Sequence, residues 1–234
     1  MGCKKSKSLY DQKSAENESL EIYESRFRLR NHSIHEYEAT IRRFQNLSLP
    51  SAKALEILSQ NFSLPFSHKL LEIFTDKLNL NGALNTDYLI SFAILYGEGS
   101  AYEKADSLWH IADTAYSNSL TKSDIQRIVK GVIRVSISIM LEAAIEENYF
   151  NVNRLTSWKS QLNERAEALE EKLLRHFFGE KHEIKKDEFI NIVVEGKDSQ
   201  ITDPVSVRTL LEHTQAIPKK FANPFKNMKT KLTG

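Results

Sequence analysis

Apolar residues return every three or four positions along most of the chain and two-residue alternation is scarce, so the pattern predicts an all-α fold. The first elements are an acidic helix over about 18–31 and a second behind Ser33, with Ile34, Tyr37, Ile41 and Phe44 on one face. Ser51 opens a short helix carrying Leu55, Ile57 and Leu58. Pro65 interrupts the chain, and Ser67 caps a helix that turns Leu70, Leu71, Ile73, Phe74 and Leu78 inward. After the turn cluster Asn79-Leu80-Asn81-Gly82, helical spacing resumes at Tyr88, Leu89, Phe92 and Leu95 and stops at Gly97-Glu98-Gly99.

Ser100 and Glu103 stand at capping-box spacing before a helix with Leu108, Trp109 and Ile111. A loop runs from Asp113 to Asp124, and Thr121 and Asp124 repeat the cap ahead of a long helix bearing Ile125, Ile128, Val129, Val132, Ile133 and Ile137. Gly131 inside that helix admits a close neighbour, at a small cost in helix propensity. Ser157–Phe178 is a further helix whose Glu164, Arg165, Glu167, Glu170, Glu171 and Lys172 make a solvated face. A short helix covers 185–195, and Asp203-Pro204 starts the last one, through about 214, because Pro suits the first helical position.

With 234 residues and 41% hydrophobic content, the chain can bury a core as one elongated domain or two small lobes. The formal net charge of +1 argues against a broad nucleic-acid surface, which needs a strong excess of Lys and Arg. Cations gather instead at the two ends, as Lys4, Lys5 and Lys7 and as Lys219, Lys220, Lys226, Lys229 and Lys231. Cys3 is the single cysteine, so neither an internal disulfide nor a thiolate cluster can form, and a reducing compartment suits the chain. No run of about 18 apolar residues occurs and no apolar segment follows the cationic start, so neither a membrane span nor a secretory signal is expected.

The opening Met1-Gly2-Cys3-Lys4-Lys5-Ser6-Lys7 fits the myristoylation pattern, with Gly2 freed by removal of Met1 and Ser6 at the required later position. Myristate alone holds a membrane marginally. Palmitate on Cys3 and about 1 kcal/mol from each of Lys4, Lys5 and Lys7 at an anionic leaflet would complete the anchor. At the other end Ile217, Phe221, Phe225, Met228 and Leu232 recur at three- and four-residue steps among the lysines. That spacing suits an amphipathic segment on an anionic membrane or a partner, although Pro224 opposes a continuous helix, and a disordered solubilising tail reads equally well.

A twelve-residue calcium loop places oxygen ligands at alternating positions, Gly at six and a bidentate Glu at twelve. With Gly82 at six, Asn79 falls at three, Asn81 at five and Leu84 at eight, but Lys77 at one and Tyr88 at twelve remove the essential carboxylates. A second loop has Asp113 at one, Ser117 at five, Asn118 at six, Leu120 at eight, Thr121 at nine and Asp124 at twelve, while Ala115 leaves the third place empty. Asp113, Ser117, Thr121 and Asp124 are therefore candidate ligands of one weak calcium or magnesium site. The two loops start 36 residues apart, which suits paired hands joined by a small β contact between Leu84 and Leu120. Ile184, Glu188 and Phe189 stand at positions eight, twelve and thirteen of a further loop in which Phe177 and Gly179 supply no ligand.

On these residues the chain resembles the EF-hand superfamily, in particular myristoylated neuronal-calcium-sensor and calcineurin-B-like proteins, chiefly over 34–135. The lipidated start and the long helix after the hands also resemble the helical region preceding the domain in TLDc proteins, although no TLDc domain is read here. The resemblance implies an EF-hand-like paired helix-loop-helix core with additional long helices and flexible termini. The expected organisation is a lipidated basic tether at 1–16, N-terminal helices at 17–66, a degenerate EF-hand pair at 67–135, a C-terminal helical region with a vestigial hand at 136–215, and a basic tail at 216–234.

Enzymatic signatures are missing from the sequence. His32 and His35 lie ahead of a helix start outside any His-Glu-x-x-His pattern and read as surface or capping residues. Gly97-Glu98-Gly99 lacks the third glycine and preceding strand of a dinucleotide site, and no Gly-x-Ser-x-Gly elbow occurs. The expectation is a non-enzymatic, membrane-anchored adaptor or regulatory protein on the cytoplasmic face of a plasma or ciliary membrane, requiring no cofactor and no nucleic acid. Its partner would be a helical protein segment held in a groove of Leu70, Phe74, Leu89, Phe92, Leu108 and Ile111. The alternatives are a cation-responsive sensor with one weak site and a structural component of a membrane-linked cytoskeletal array.

Overall fold

A computed structural model describes residues 14–45, 56, 59–60, 72–73, 76, 79–80, 83–84, 86–113, 116–196 and 200–217, with 42–45, 79–80, 83–84 and 86 described by backbone alone. The fold is mostly helical, as the periodicity predicts. Its principal helices are α1 (Ala15–Ser25), α2 (Ile34–Gln45), α3 (Thr86–Tyr96), α4 (Ala101–Ala112), α5 (Lys122–Glu146), α6 (Val152–Phe178), α7 (Lys186–Glu195) and α8 (Pro204–Glu212). Four short strands accompany them, β1 (Asn79–Leu80), β2 (Ala83–Leu84), β3 (Ser119–Thr121) and β4 (Glu183–Lys185).

Polar side chains fix most of the helix starts. Ser33 accepts from the Glu36 amide while the Glu36 carboxylate accepts from the Ser33 amide, a reciprocal box at the head of α2. Ser100 and Glu103 repeat it ahead of α4. Asp203 accepts from the Ser206 amide at 2.9 Å, with Pro204 at the first position of α8. The first helix begins earlier than about 18, because Ser14 caps it, and ends at Ser25 rather than 31. Arg28, in the left-handed region at φ 51°, stops the helical path, and only the 3-10 turn Leu29–Asn31 follows.

One hydrophobic cluster runs through the described residues. In α3, Leu89 through Tyr96 are all buried, so this helix has no solvent face and sits centrally between α2, α4 and α5. Gly131 lets it approach: a Cβ there would lie 3.3 Å from Ser91 Oγ and 3.5 Å from the Tyr88 ring. Gly97 serves a second close contact, since a Cβ would meet Ala93 O at 2.6 Å and Ile34 at 3.0 Å. The long helices α5 and α6 pack against one another, joined by the turn 147–151, and α8 lies across both.

The strand pairing differs from expectation. Leu84 pairs with Asn79 and Leu80 with Ala83, an antiparallel pair between sequence neighbours. Leu120 pairs instead with Ile184, between Ser119–Lys185 and Thr121–Glu183, in an antiparallel ladder. Strands β1 and β2 pair with each other, whereas Leu120 and Ile184 are both at most 1% exposed and complete each other's burial. The paired units are therefore α4–β3–α5 and α6–β4–α7, not two units within 67–135.

Candidate functional site

The strand pair organises the most constructed surface feature. Beneath it, Trp109 of α4 and Phe177 of α6 meet Phe189 of α7, with ring centroids 5.8 and 5.4 Å away. On the outside, Lys186 of α7 reaches Asp106 of α4 at 2.6 Å, and its Nζ lies 3.4 Å from His110 Nε2. The first unit thus contributes one helix to the aromatic layer and the second unit both of its helices, and each supplies one side of a surface ion pair.

In the loop ahead of β3 Asp113 is buried, and both of its carboxylate oxygens accept hydrogen bonds. Oδ1 accepts from the Ser117 amide at 2.7 Å and the Ser117 hydroxyl at 3.0 Å, and Oδ2 accepts from the Asn118 amide at 3.0 Å. Burial pushes this carboxyl upward in pKa, but these hydrogen bonds and nearby His110 outweigh it and hold the group below the usual carboxylate range. Asn118 takes a left-handed backbone, φ 56°, where many such loops use glycine. Asp124 faces its own helix: its Oδ2 accepts from the Thr121 amide at 2.9 Å and the Thr121 hydroxyl at 2.6 Å. The four expected ligands therefore fall into two separate hydrogen-bonded pairs, Asp113 with Ser117 and Thr121 with Asp124. Among the described residues no group of three or more His, Cys, Asp or Glu is placed to hold a metal.

The loop between α6 and α7 carries its own cation. Lys181, five places into the loop, forms an ion pair with Glu188, the residue at position twelve. Gly179 ends α6 at φ +52°, where a side chain would strain the backbone. An ammonium thus meets the carboxylate that the sequence pattern offers to a divalent ion.

Of the expected partner groove, Leu89, Phe92, Leu108 and Ile111 are all 6% exposed or less and belong to the core. Leu70 and Phe74 lie outside the described residues, as do Gly2, Cys3, Lys4, Lys5 and Lys7. Two open clefts stand elsewhere. One, of about 930 Å³, runs between α5 and α6, with Lys122, Lys130 and Arg134 on one wall, Glu167, Glu170 and Glu171 on the other, and Ile133, Ile137 and Leu174 at its base. The other, of about 580 Å³, lies where α1 begins and α8 ends, and includes Glu16, Arg154, Trp158, Arg165 and Glu212.

Sequence periodicity gave no sign of a buried polar network behind this second cleft. Arg208 of α8 is fully buried and donates to both carboxylate oxygens of Glu24 in α1, at 2.7 and 3.0 Å, and to Asn17 Oδ1 and Ser136 O. Tyr96 donates to the same carboxylate at 3.0 Å. Burial would lower the Arg208 pKa, but the Glu24 charge outweighs it and keeps the guanidinium protonated; burial and then Glu24 push the Tyr96 phenol up. Lys104 is also buried, donating to Leu95 O at 3.3 Å, and burial brings its pKa down to about 8.

In comparisons with family models, with curated proteins and with solved structures, nothing matches the chain.

Proposed function

We propose that the protein is a non-enzymatic adaptor of EF-hand ancestry whose paired loops have become structural and which is held at the cytoplasmic face of a membrane by lipid on Gly2 and Cys3. The supporting observation is the Leu120–Ile184 strand pair between two helix–loop–helix units whose loop carboxylates are satisfied internally. Ser117 and Asn118 occupy Asp113, Thr121 occupies Asp124, and Lys181 occupies Glu188. Divalent binding would have to break these contacts, a cost that favours a constitutive scaffold over a calcium or magnesium sensor. Because Leu89, Phe92, Leu108 and Ile111 are buried, we assign the helical partner segment to the α5–α6 cleft, where Lys130 and Gln126 already bridge to Glu170 and the Arg134, Glu167 and Glu171 side chains on its walls suit a helix with acidic and basic edges.

The test is a mass measurement of the N-terminal peptide of native protein, followed by calcium calorimetry on the same preparation. A lipidated peptide with no calcium heat supports the constitutive adaptor. Calcium heat with lipidation converts the reading to a sensor, and an unmodified Gly2 removes the anchor. For the partner surface, a membrane-fraction protein retained by the wild type and lost on Glu167→Lys with Glu171→Lys is expected; equal retention by both would exclude the cleft.

A further inference from the structure

Between the C-terminal end of α1, the 3-10 turn Leu29–Asn31 and Tyr96 at the end of α3 lies a cavity of about 210 Å³. A drug-sized ligand takes about 300–1,000 Å³, whereas this space equals about seven waters at about 30 Å³ each. Its guest is therefore a small metabolite.

The polar groups of the cavity are sorted by depth. Glu24 and Tyr96, 8% and 4% exposed, form the floor, while Arg28 and Arg30 are exposed and stand at the mouth. Tyr96 donates its one proton to Glu24, so phenol and carboxylate can offer the cavity only acceptor oxygens. Glu24 Oε1 accepts from both Tyr96 and Arg208, but Oε2 accepts from Arg208 alone and has room for a further donor. Arg28 carries the chain out of α1 through the left-handed region, φ 51°, and the turn that follows brings Arg30 to the same cavity. Arg30 is joined to Asp203 at 3.1 Å; the Arg28 guanidinium has no hydrogen bond or ion pair among the described residues.

Charge then selects the guest. Glu21 and Glu24 balance Arg28 and Arg30 around the cavity, and beside it Arg208 and Asp203 cancel as well. A simple anion drawn to the arginines would meet two carboxylates, and a simple cation drawn to the carboxylates would meet Arg208 without a compensating charge. A zwitterion keeps the balance and gives each of its ends a partner.

We propose that this cavity binds a small zwitterion of the amino-acid type, its ammonium inward on the Glu24 and Tyr96 acceptors and its carboxylate outward on the Arg28 guanidinium. With the ligand in place, Glu21 and Glu24 face two cations, the ammonium and Arg208. The site is separate from the α5–α6 cleft and from the lipid anchor, so it stands whether or not the adaptor reading does. Because Glu24 joins α1 to α8 and to Tyr96 of α3, a further donor on its carboxylate also stabilises that junction, and the thermal midpoint should rise with ligand concentration.

The experiment titrates the full chain with L-alanine and γ-aminobutyrate, two zwitterions of different reach, and follows the amide NMR signals of residues 21–31 and 96. Butyrate and n-butylamine, which each lack one charged end of γ-aminobutyrate, are the matched controls. At least one zwitterion should give saturable shifts confined to those residues, and both controls should bind at least ten-fold more weakly, since each forfeits a charged hydrogen bond. Arg28→Gln should weaken the zwitterion at least ten-fold without moving the thermal midpoint of the free protein, and Arg28→Lys, which keeps the charge, should retain most of the affinity. The proposal is overturned if neither zwitterion gives a saturable shift, if butyrate or butylamine binds as tightly, or if Arg28→Gln binds like the wild type.

Discussion

Arg208 and Glu24 form a charged pair inside the core, where removing one partner is far more damaging than removing both. Arg208→Met should cost about 3–5 kcal/mol in urea unfolding, because it leaves a buried carboxylate whose remaining donor is Tyr96. Adding Glu24→Met should recover most of that loss; a double variant as unstable as the single one would mean the pair acts through packing alone. Lys104 supplies a second test with the opposite sense. An unfolded lysine titrates near 10.4 and the folded one at about 8, so below pH 8 both states are protonated and folding bears the full cost of burying the ammonium. Between pH 8 and about 10 the unfolded chain holds more protons, and stability should rise by up to about 3 kcal/mol. Lys104→Met should flatten that rise and stabilise the protein at pH 7. These residues were illegible in sequence for one reason: a lone Arg or Lys within an amphipathic helix reads as solvated, and Glu24 lies 184 residues from its partner.

At the scale of elements, local chemistry was readable and register was not. The boxes at Ser33, Ser100 and Thr121 and the Asp203-Pro204 start all depend on residues within four places of each other, and each opens a helix where the sequence predicts. The partner of Leu120 depends on which distant strand completes its burial, and Leu84 and Ile184 both stand at position eight of their own loops. In the sequence, the Asn-Gly dipeptide at 81–82 carried the discriminating signal, since it favours a local hairpin, and β1 pairs with β2 rather than with β3. The same locality governs Asp113. Its three hydrogen bonds order the loop ahead of β3, so Asp113→Ala should cost about 1–3 kcal/mol. Because its folded pKa is lowered, the contribution is present above the ordinary Asp value near 3.9 and is lost as pH falls through the folded value. A stability profile in which wild type and Asp113→Ala converge in acid would carry that signature. Equal acid sensitivity of the two would remove the loop from the account.

For the whole molecule, the pairing of α4–β3–α5 with α6–β4–α7 decides what can fold alone. A unit confined to 67–135 would contain β3 but neither β4 nor α7, leaving Leu120 without Ile184 and Trp109 without Phe189. It would also uncover α5 where α6 and α8 pack on it in the full chain. Each buried apolar side chain so uncovered is worth about 1.5–3 kcal/mol of burial, so losing several is comparable to the 5–15 kcal/mol that a domain holds in total. The fragment 67–135 should therefore give a collapsed amide spectrum and no cooperative melting. The full chain should unfold in one transition by both far-ultraviolet circular dichroism and tryptophan fluorescence, because Trp109 lies in the α4–α7 layer and Trp158 beside the α1–α8 contact. If fluorescence and dichroism separated, or the fragment folded, the paired units would be independent lobes that the Leu120–Ile184 pair joins without making either depend on the other.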